Sequence, residues 1–389
     1  MLPRVEIVHE QGDAPNSVGS NQLKNASSAT TVQALQAAVR VAFGSRRSGA
    51  LVALNPNNGQ MLALVSIANK QDEKSSKKVR NLALYGNYNP GATIKPFMAL
   101  AALELGFRTP EDEFSDSKGF AQYGEYQYVD GYRSGHGQVN LHRSIVHSCD
   151  TYYYAIAEEM GIDAIHGFLT HFGFGKKPDI TCESVSGGIL ATPAWKDARF
   201  KQQWFTSDTI ATGIGQGYFL ATPLQMASAV AMLANGGTLY QPSLARTETD
   251  KDAQVSADSV SDVAAKFPLT VVNLATIRNA MIAATRQGAA SRSFADATYL
   301  VAGKTGSMPR SAMRKDGSFE AFKDHSLFIG YAPANQPTIA LAVVVEDGGF
   351  GYQSAAPIAR AVFDYVLRNE AILTTVPELP VLEDGRVSD

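Results

Sequence analysis

The chain has 389 residues with 45% apolar and 18% charged side chains, enough to bury a large core and too apolar for a disordered chain. A formal net charge of -3 gives no basic excess, which argues against a nucleic-acid partner, and two cysteines, Cys149 and Cys182, cannot build a disulfide framework. No run of about 18 apolar residues occurs and the N-terminus lacks a charged-then-apolar leader, so this sequence is expected neither to span a membrane nor to direct its own export.

Thr31 is a candidate cap for a helix over 32–43, whose Val32, Leu35, Val39, Ala42 and Phe43 share one face. Segments 49–55 and 60–67 read as a hairpin around Pro56-Asn57-Asn58-Gly59, and the Lys-rich stretch 69–80 as a solvated loop. Pro90-Gly91 makes a turn, after which Ile94, Phe97, Met98, Ala101 and Leu105 recur at helical spacing up to Gly106. Ala92 falls where that helix should be capped. Ala is a worse N-cap than Ser by about 0.5 to 2 kcal/mol, and Ser there would complete Ser-x-x-Lys with Lys95.

Further on, helices are expected at 151–160, 165–172, 223–235 and 271–284, strands at 299–307, 326–331 and 338–346, and a final helix at 356–368 with Pro357 in its first turn. A hairpin, a long helical insert, three strands and a helix imply a fold of α/β type in the α+β sense: an antiparallel sheet sandwiched between helices. The tail beyond Asn369 is polar and Pro-containing. There is no internal repeat.

In Ser-x-x-Lys the hydroxyl is a nucleophile and the amine one turn on accepts its proton, while the helix N-terminus favours a developing oxyanion. Two further elements follow in order, Ser148-Cys149-Asp150 and Lys304-Thr305-Gly306-Ser307. Each is weak alone. Together they resemble the Ser-x-x-Lys, Ser-x-Asn, Lys-Thr-Gly set of the penicillin-recognising serine acyltransferases. Trp195-Lys196, Arg199-Phe200, Trp204, Asp208-Thr209, Gly213-Ile-Gly-Gln-Gly217-Tyr218, Ala221-Thr-Pro-Leu-Gln225, Glu346-Asp-Gly-Gly349 and Ala355 to Arg360 extend the resemblance to the class B penicillin-binding proteins of the elongation machinery, the penicillin-binding protein 2 group. Gly213 to Gly217 lacks the Gly-Lys-Ser/Thr ending of a phosphate loop.

The resemblance implies a peptidoglycan D,D-transpeptidase that cross-links stem peptides through a serine acyl-enzyme and is a target of β-lactams. It implies Lys95 as base, Ser148 as proton relay, Lys304 as positive charge, and Thr305 and Ser307 hydroxyls on the substrate carboxylate. Gly306 would let the peptide approach as an added strand, and the amides of Ala92 and Ser307 would form the oxyanion hole. Asp150 replaces the commoner Asn. Ala92 is read as a Ser-to-Ala change that inactivates this chain, and Thr93, about 100° away on the helix, is no substitute.

The same group implies a periplasmic location at the bacterial inner membrane, an N-terminal anchoring helix outside this sequence, and partners that include a membrane glycan polymerase and other elongation proteins. Residues 1–31 then read as a pedestal remnant, 32–370 as the transpeptidase domain and 371–389 as a tail. No catalytic cofactor is implied. Asp116, Asp130, His136 and Cys149 match a zinc pattern of some relatives, a closed four-ligand structural site that would brace the second motif. In an extended Ser148-Cys149-Asp150, Cys149 would point away from Ser148 and Asp150; His142 and His147 are the competing ligands. Trp195, Trp204 and Tyr218 read as packing residues. Alternatives are a serine β-lactamase, which uses the same motifs, and a non-catalytic scaffold of the elongation complex.

Overall fold

Alternation along two neighbouring strands sets the architecture. In the strand Ser48–Leu54, Ala50, Val52 and Leu54 join one apolar cluster while Leu51 and Ala53 join another; in Ile339–Glu346, Ala340, Ala342 and Val344 separate from Ile339, Leu341, Val343 and Val345 in the same way. Both strands are buried on two faces, which is why they read as unbroken apolar runs. A computed structural model describes residues 28–44, 47–67, 81–180, 185–244, 262–313 and 319–368.

One sheet contains β1 (Ser48–Leu54), β2 (Gln60–Ile67), β3 (Ser243–Leu244), β4 (Ala302–Met313), β5 (Phe319–Ala332) and β6 (Ile339–Glu346), in the order β3-β2-β1-β6-β5-β4. Every pairing is antiparallel except the short parallel contact of β3 with β2. Helices α1 (Ser28–Phe43) and α7 (Ala355–Arg368) cover one face through Leu35, Val39, Phe43, Ile358, Val362 and Phe363. The other face carries α2 (Lys95–Glu104), α3 (Leu141–His147), α4 (Asp150–His171), α5 (Pro223–Ala234) and α6 (Val271–Arg286), with Phe97, Ile156, Val230 and Ile277 in the core. The expected sandwich is present.

Several expectations need correction. Thr31 lies inside α1, which begins at Ser28 and packs on the sheet, so this helix overlaps the segment assigned to a pedestal. The helices expected at 151–160 and 165–172 form a single element, interrupted where Gly161 leaves helical geometry at φ 70°. Strands β4 and β5 run further than apolar pattern suggested because they pair with each other out to Met313 and Phe319. The expected loop 69–80, the tail 371–389, Cys182 and most of segment 1–31 lie outside the described residues. Among the described residues no helix is long and apolar enough to cross a membrane.

Gln225 ties the helical layer together. It is 1% exposed in the first turn of α5, and its Oε1 accepts the Thr222 N–H at 2.9 Å while Thr222 Oγ1 accepts the Gln225 N–H at 3.1 Å. That is a reciprocal capping box. Its Nε2 donates to the carbonyls of Gly173, Lys176 and Gly187 at 3.1, 2.9 and 2.8 Å. Truncation removes the donor of three part-buried carbonyls and breaks the capping box at the start of α5. Gln225→Ala is therefore expected to lower the unfolding free energy by about 3 kcal/mol, measured by urea titration; a loss below about 1 kcal/mol would contradict this account.

Candidate active site

The turn that carries position 92 is held from behind before its helix begins. Tyr88 and Ala221 exchange backbone hydrogen bonds of 3.0 and 2.8 Å, and the Gly91 N–H donates to Gly215 O at 2.9 Å. Residues Gly91–Ile94 then make a 3₁₀ turn that runs into α2, with Pro96 in the first helical turn where its missing N–H does no harm. Ala92 is thus not the N-cap, as sequence reasoning had it. It sits half-buried inside the turn, and its carbonyl accepts the Lys95 N–H. Thr93 is buried and its hydroxyl donates to Pro90 O at 2.7 Å, so it faces away from any role in place of Ala92.

Lys95 is completely buried, and its Nζ donates to Asp150 Oδ1 at 2.6 Å, to Ser148 O at 2.6 Å and to Ser148 Oγ at 3.2 Å. These three acceptors match the three N–H groups of an ammonium. The Tyr153 ring lies beneath it, 5.1 Å from Nζ to centroid. From the opposite side Lys304 Nζ donates to Ser148 Oγ at 3.0 Å and to Thr305 O at 3.1 Å. Burial, then the nearby Lys95 cation, push Lys304 down to about 7, and Asp150 offsets only part of this. Ser148 Oγ is therefore an acceptor between two lysines, which leaves its own O–H to donate elsewhere.

The second motif achieves this without the extended geometry expected of it. Ser148 ends α3 in the left-handed region at φ 58°, Cys149 is the extended N-cap of α4, and Asp150 is its first residue. Ser148 and Asp150 both reach Lys95, whereas the Cys149 thiol points to Asp116 at 3.5 Å and Thr151 at 3.2 Å. The sorting of side chains holds, but a helix-to-helix corner produces it.

Asp116, Asp130, His136 and Cys149 offer donor atoms that all lie within 4.8 Å of one another. Asp116 Oδ2 meets both the N–H and Nδ1 of His136, at 2.8 and 2.9 Å, and His136 Nδ1 is 3.6 Å from Asp130 Oδ2. Burial, joined by the charges of Asp130 and Asp116 and only partly opposed by bonds from Thr151 and Tyr152, pushes the Cys149 thiol up to about 12. A divalent cation would reverse that balance. His147 stacks on His136 at 6.1 Å but is outside the cluster, as is His142. Asp130 Oδ2 also accepts the Asp150 N–H at 2.6 Å, so the cluster caps the helix that presents Asp150.

Strand β4 is the terminal strand of the sheet and carries the third motif. A Cβ on Gly306 would meet Thr93 Cγ2 at 2.9 Å and Pro90 O at 3.1 Å, so this glycine makes room for the turn, a requirement separate from the expected approach of a peptide. Ser307 Oγ accepts the Gly351 N–H at 3.1 Å, an unforeseen contact that leaves its O–H available as a donor. Thr305 is nearly buried on the same strand face.

Trp195, Trp204 and Tyr218 do pack, but partly around a residue that sequence reasoning left without a role. Lys196 is 3% exposed, bonds Asp208 Oδ2 at 2.5 Å and lies over the rings of Phe205, Tyr218 and Trp204 at 4.7, 5.4 and 5.9 Å. Asn89 was likewise missed. Its Nδ2 donates to Gly217 O at 3.1 Å and Phe219 O at 2.5 Å. The only signal for Lys196 was membership of the extended signature, and Asn89 had only its place next to the Pro90-Gly91 turn.

The Penicillin binding protein transpeptidase domain model matches residues 49–364. The chain is 37% identical over 344 residues to the Peptidoglycan D,D-transpeptidase MrdA of Acinetobacter baumannii, covering 82% of this chain and 51% of that protein. It thus spans about half the length of the curated relatives it matches. Among solved structures, Pseudomonas aeruginosa PBP2 in complex with WCK 5153 superposes with a TM-score of 0.76 at 35% identity, over 87% of this chain and 75% of that one. The complex between PBP2 and MreC from Helicobacter pylori gives 0.72 at 25% identity, over 86% and 63%. The motifs in their expected order, the lysines that meet at Ser148 and these matches agree: the chain belongs to the penicillin-binding protein transpeptidase family.

Proposed function

We propose that this chain is the catalytic domain of a peptidoglycan D,D-transpeptidase of cell-wall elongation, held inactive by Ala92. The observation that carries the reading is the Lys95–Ser148–Lys304 contact, with the Asp150 carboxylate alongside. In the complete site Lys95 first passes one ammonium proton through Ser148 to Lys304, and then takes the proton of a hydroxyl at position 92 as that hydroxyl attacks the D-Ala-D-Ala carbonyl carbon. The C–N bond breaks, the departing D-Ala amine takes a proton through Ser148, and an amine of a second stem peptide then displaces the ester. Lys304, Thr305 and Ser307 hold the terminal carboxylate, and the amides of Ala92 and Ser307 stabilise the oxyanion. Penicillins would enter by the same route.

Without the hydroxyl, turnover falls about a millionfold, yet none of the bonds around Ser148 involves the side chain at position 92. Ligand binding should outlast activity. A scaffold role is compatible with that, and the complex of the Helicobacter pylori relative with MreC supports a protein partner for this chain; a membrane glycan polymerase as a further partner and a place at the periplasmic face of the inner membrane are part of the same proposal. The four-donor cluster is proposed to hold zinc: Asp116, Asp130, His136 and Cys149 fit it, and the metal would supply the charge that two carboxylates and a buried thiol require.

Three outcomes are expected. Intact mass should show a covalent penicillin adduct on Ala92→Ser and none on the parent chain; a folded Ala92→Ser protein without adduct would overturn the transpeptidase reading. The second-order acylation constant of Ala92→Ser should decline as pH rises above about 7, because Lys304 loses the charge that attracts the penicillin carboxylate, with Lys95 and Asp150 the charged groups facing it. Adding Lys304→Met should flatten that limb; a constant that instead rises through this range would make Lys304 a base. Elemental analysis of protein purified without added metal should give about one zinc per chain, lost in Cys149→Ser.

A further inference from the structure

We propose that the loop 213–219 is the template that sets the oxyanion hole, with Asn89 and Gly215 as its positioning residues. This rests on the transpeptidase reading and adds to it a cause for the placement of the Ala92 amide.

Three stretches of backbone stack here with no side chain between them. A Cβ on Gly215 would lie 2.5 Å from Gly91 O and 2.7 Å from Gly91 N, and Gly215 has φ +72°; a Cβ on Gly91, at φ +53°, would lie 3.0 Å from Ser307 O. The turn is thus pinched between the loop on one side and β4 on the other. The Gly91 N–H to Gly215 O bond of 2.9 Å fixes the Pro90–Gly91 peptide unit, one unit before the one that carries the Ala92 N–H, and Gly215 also packs against Gly91 O, which belongs to that next unit. Asn89, 8% exposed, clamps the loop to the turn through the Gly217 and Phe219 carbonyls.

The loop has its own anchor. A Cβ on Gly213 would meet Ala157 Cβ at 2.4 Å and Tyr153 O at 3.2 Å, so the loop starts flush against α4 beside the ring under Lys95. An oxyanion hole needs two N–H groups within about 3 Å of one point, and misplacement by about 1 Å costs on the order of a hundredfold in rate. Side chains between layers would absorb a displacement by changing rotamer. Backbone on backbone transmits it whole, from Gly215 through Gly91 to the Ala92 amide and its spacing from Ser307.

The test uses the Ala92→Ser protein with an isotope-labelled penicillin, and separates noncovalent binding from the acylation step. Gly215→Ala in that background should slow acylation about a hundredfold while the binding constant changes less than about threefold. The ester carbonyl band of the acyl-enzyme should move to higher infrared frequency, since a carbonyl with weaker hydrogen bonds is less polarised. Asn89→Ala, which adds no atoms, should shift rate and band in the same direction and carries the test if Gly215→Ala does not fold. An unchanged band and acylation rate in a folded variant would overturn the inference and leave the transpeptidase reading intact. Absence of any adduct on Ala92→Ser alone would remove the reading itself, and the inference with it.

Discussion

Two lysine side chains buried on opposite sides of one serine hydroxyl are the constraint around which the rest is arranged. Lys95 is fully buried and Lys304 almost so, and the two repel across Ser148. An uncompensated buried charge costs about 3 to 5 kcal/mol. Among the described residues Asp150 is the carboxylate paired with Lys95, at 2.6 Å, and Lys304 yields through a pKa lowered to about 7. The hydroxyl between them can pass a proton in either direction because the amines differ: one is saturated with acceptors, the other is close to its titration point.

The position of Asp150 is therefore worth much structure. Its N–H is capped by Asp130, which shares His136 with Asp116, which in turn faces the Cys149 thiol. The candidate metal cluster and the counter-ion of Lys95 are two ends of one short chain of contacts. Asp in place of the commoner Asn at position 150 fits this arrangement physically, since a carboxylate offers Lys95 full charge where an amide oxygen offers a dipole.

The sequence disclosed the parts whose signal is local or whose residue types are chemically scarce. Apolar runs gave the hairpin β1–β2 and strand β6, 3.6-residue spacing gave α2 and α5, and the family motifs gave Lys95, Ser148 and Lys304. Asp116 and Asp130 came only from likeness to relatives. What stayed hidden was backbone. That Gly306 accommodates Thr93, that Ser307 is held by Gly351, and that Ser148 adopts left-handed geometry all depend on segments distant in the chain meeting at a few ångströms. Ala92 was flagged for the wrong reason: the helix it was thought to cap begins one turn later.

Alanine at position 92 leaves the surrounding bonds unaffected for the same reason that the site is preorganised. The turn is fixed by Gly91 N–H to Gly215 O, by Thr93 Oγ1 to Pro90 O and by Asn89, and the lysines by Ser148 and Asp150. None of these bonds uses the side chain at position 92. A site that had to be assembled by its nucleophile would collapse without it. One assembled by backbone contacts and buried charge keeps its shape, so the free energy that orients a substrate resides in the fold, and the nucleophile adds only the bond-making step.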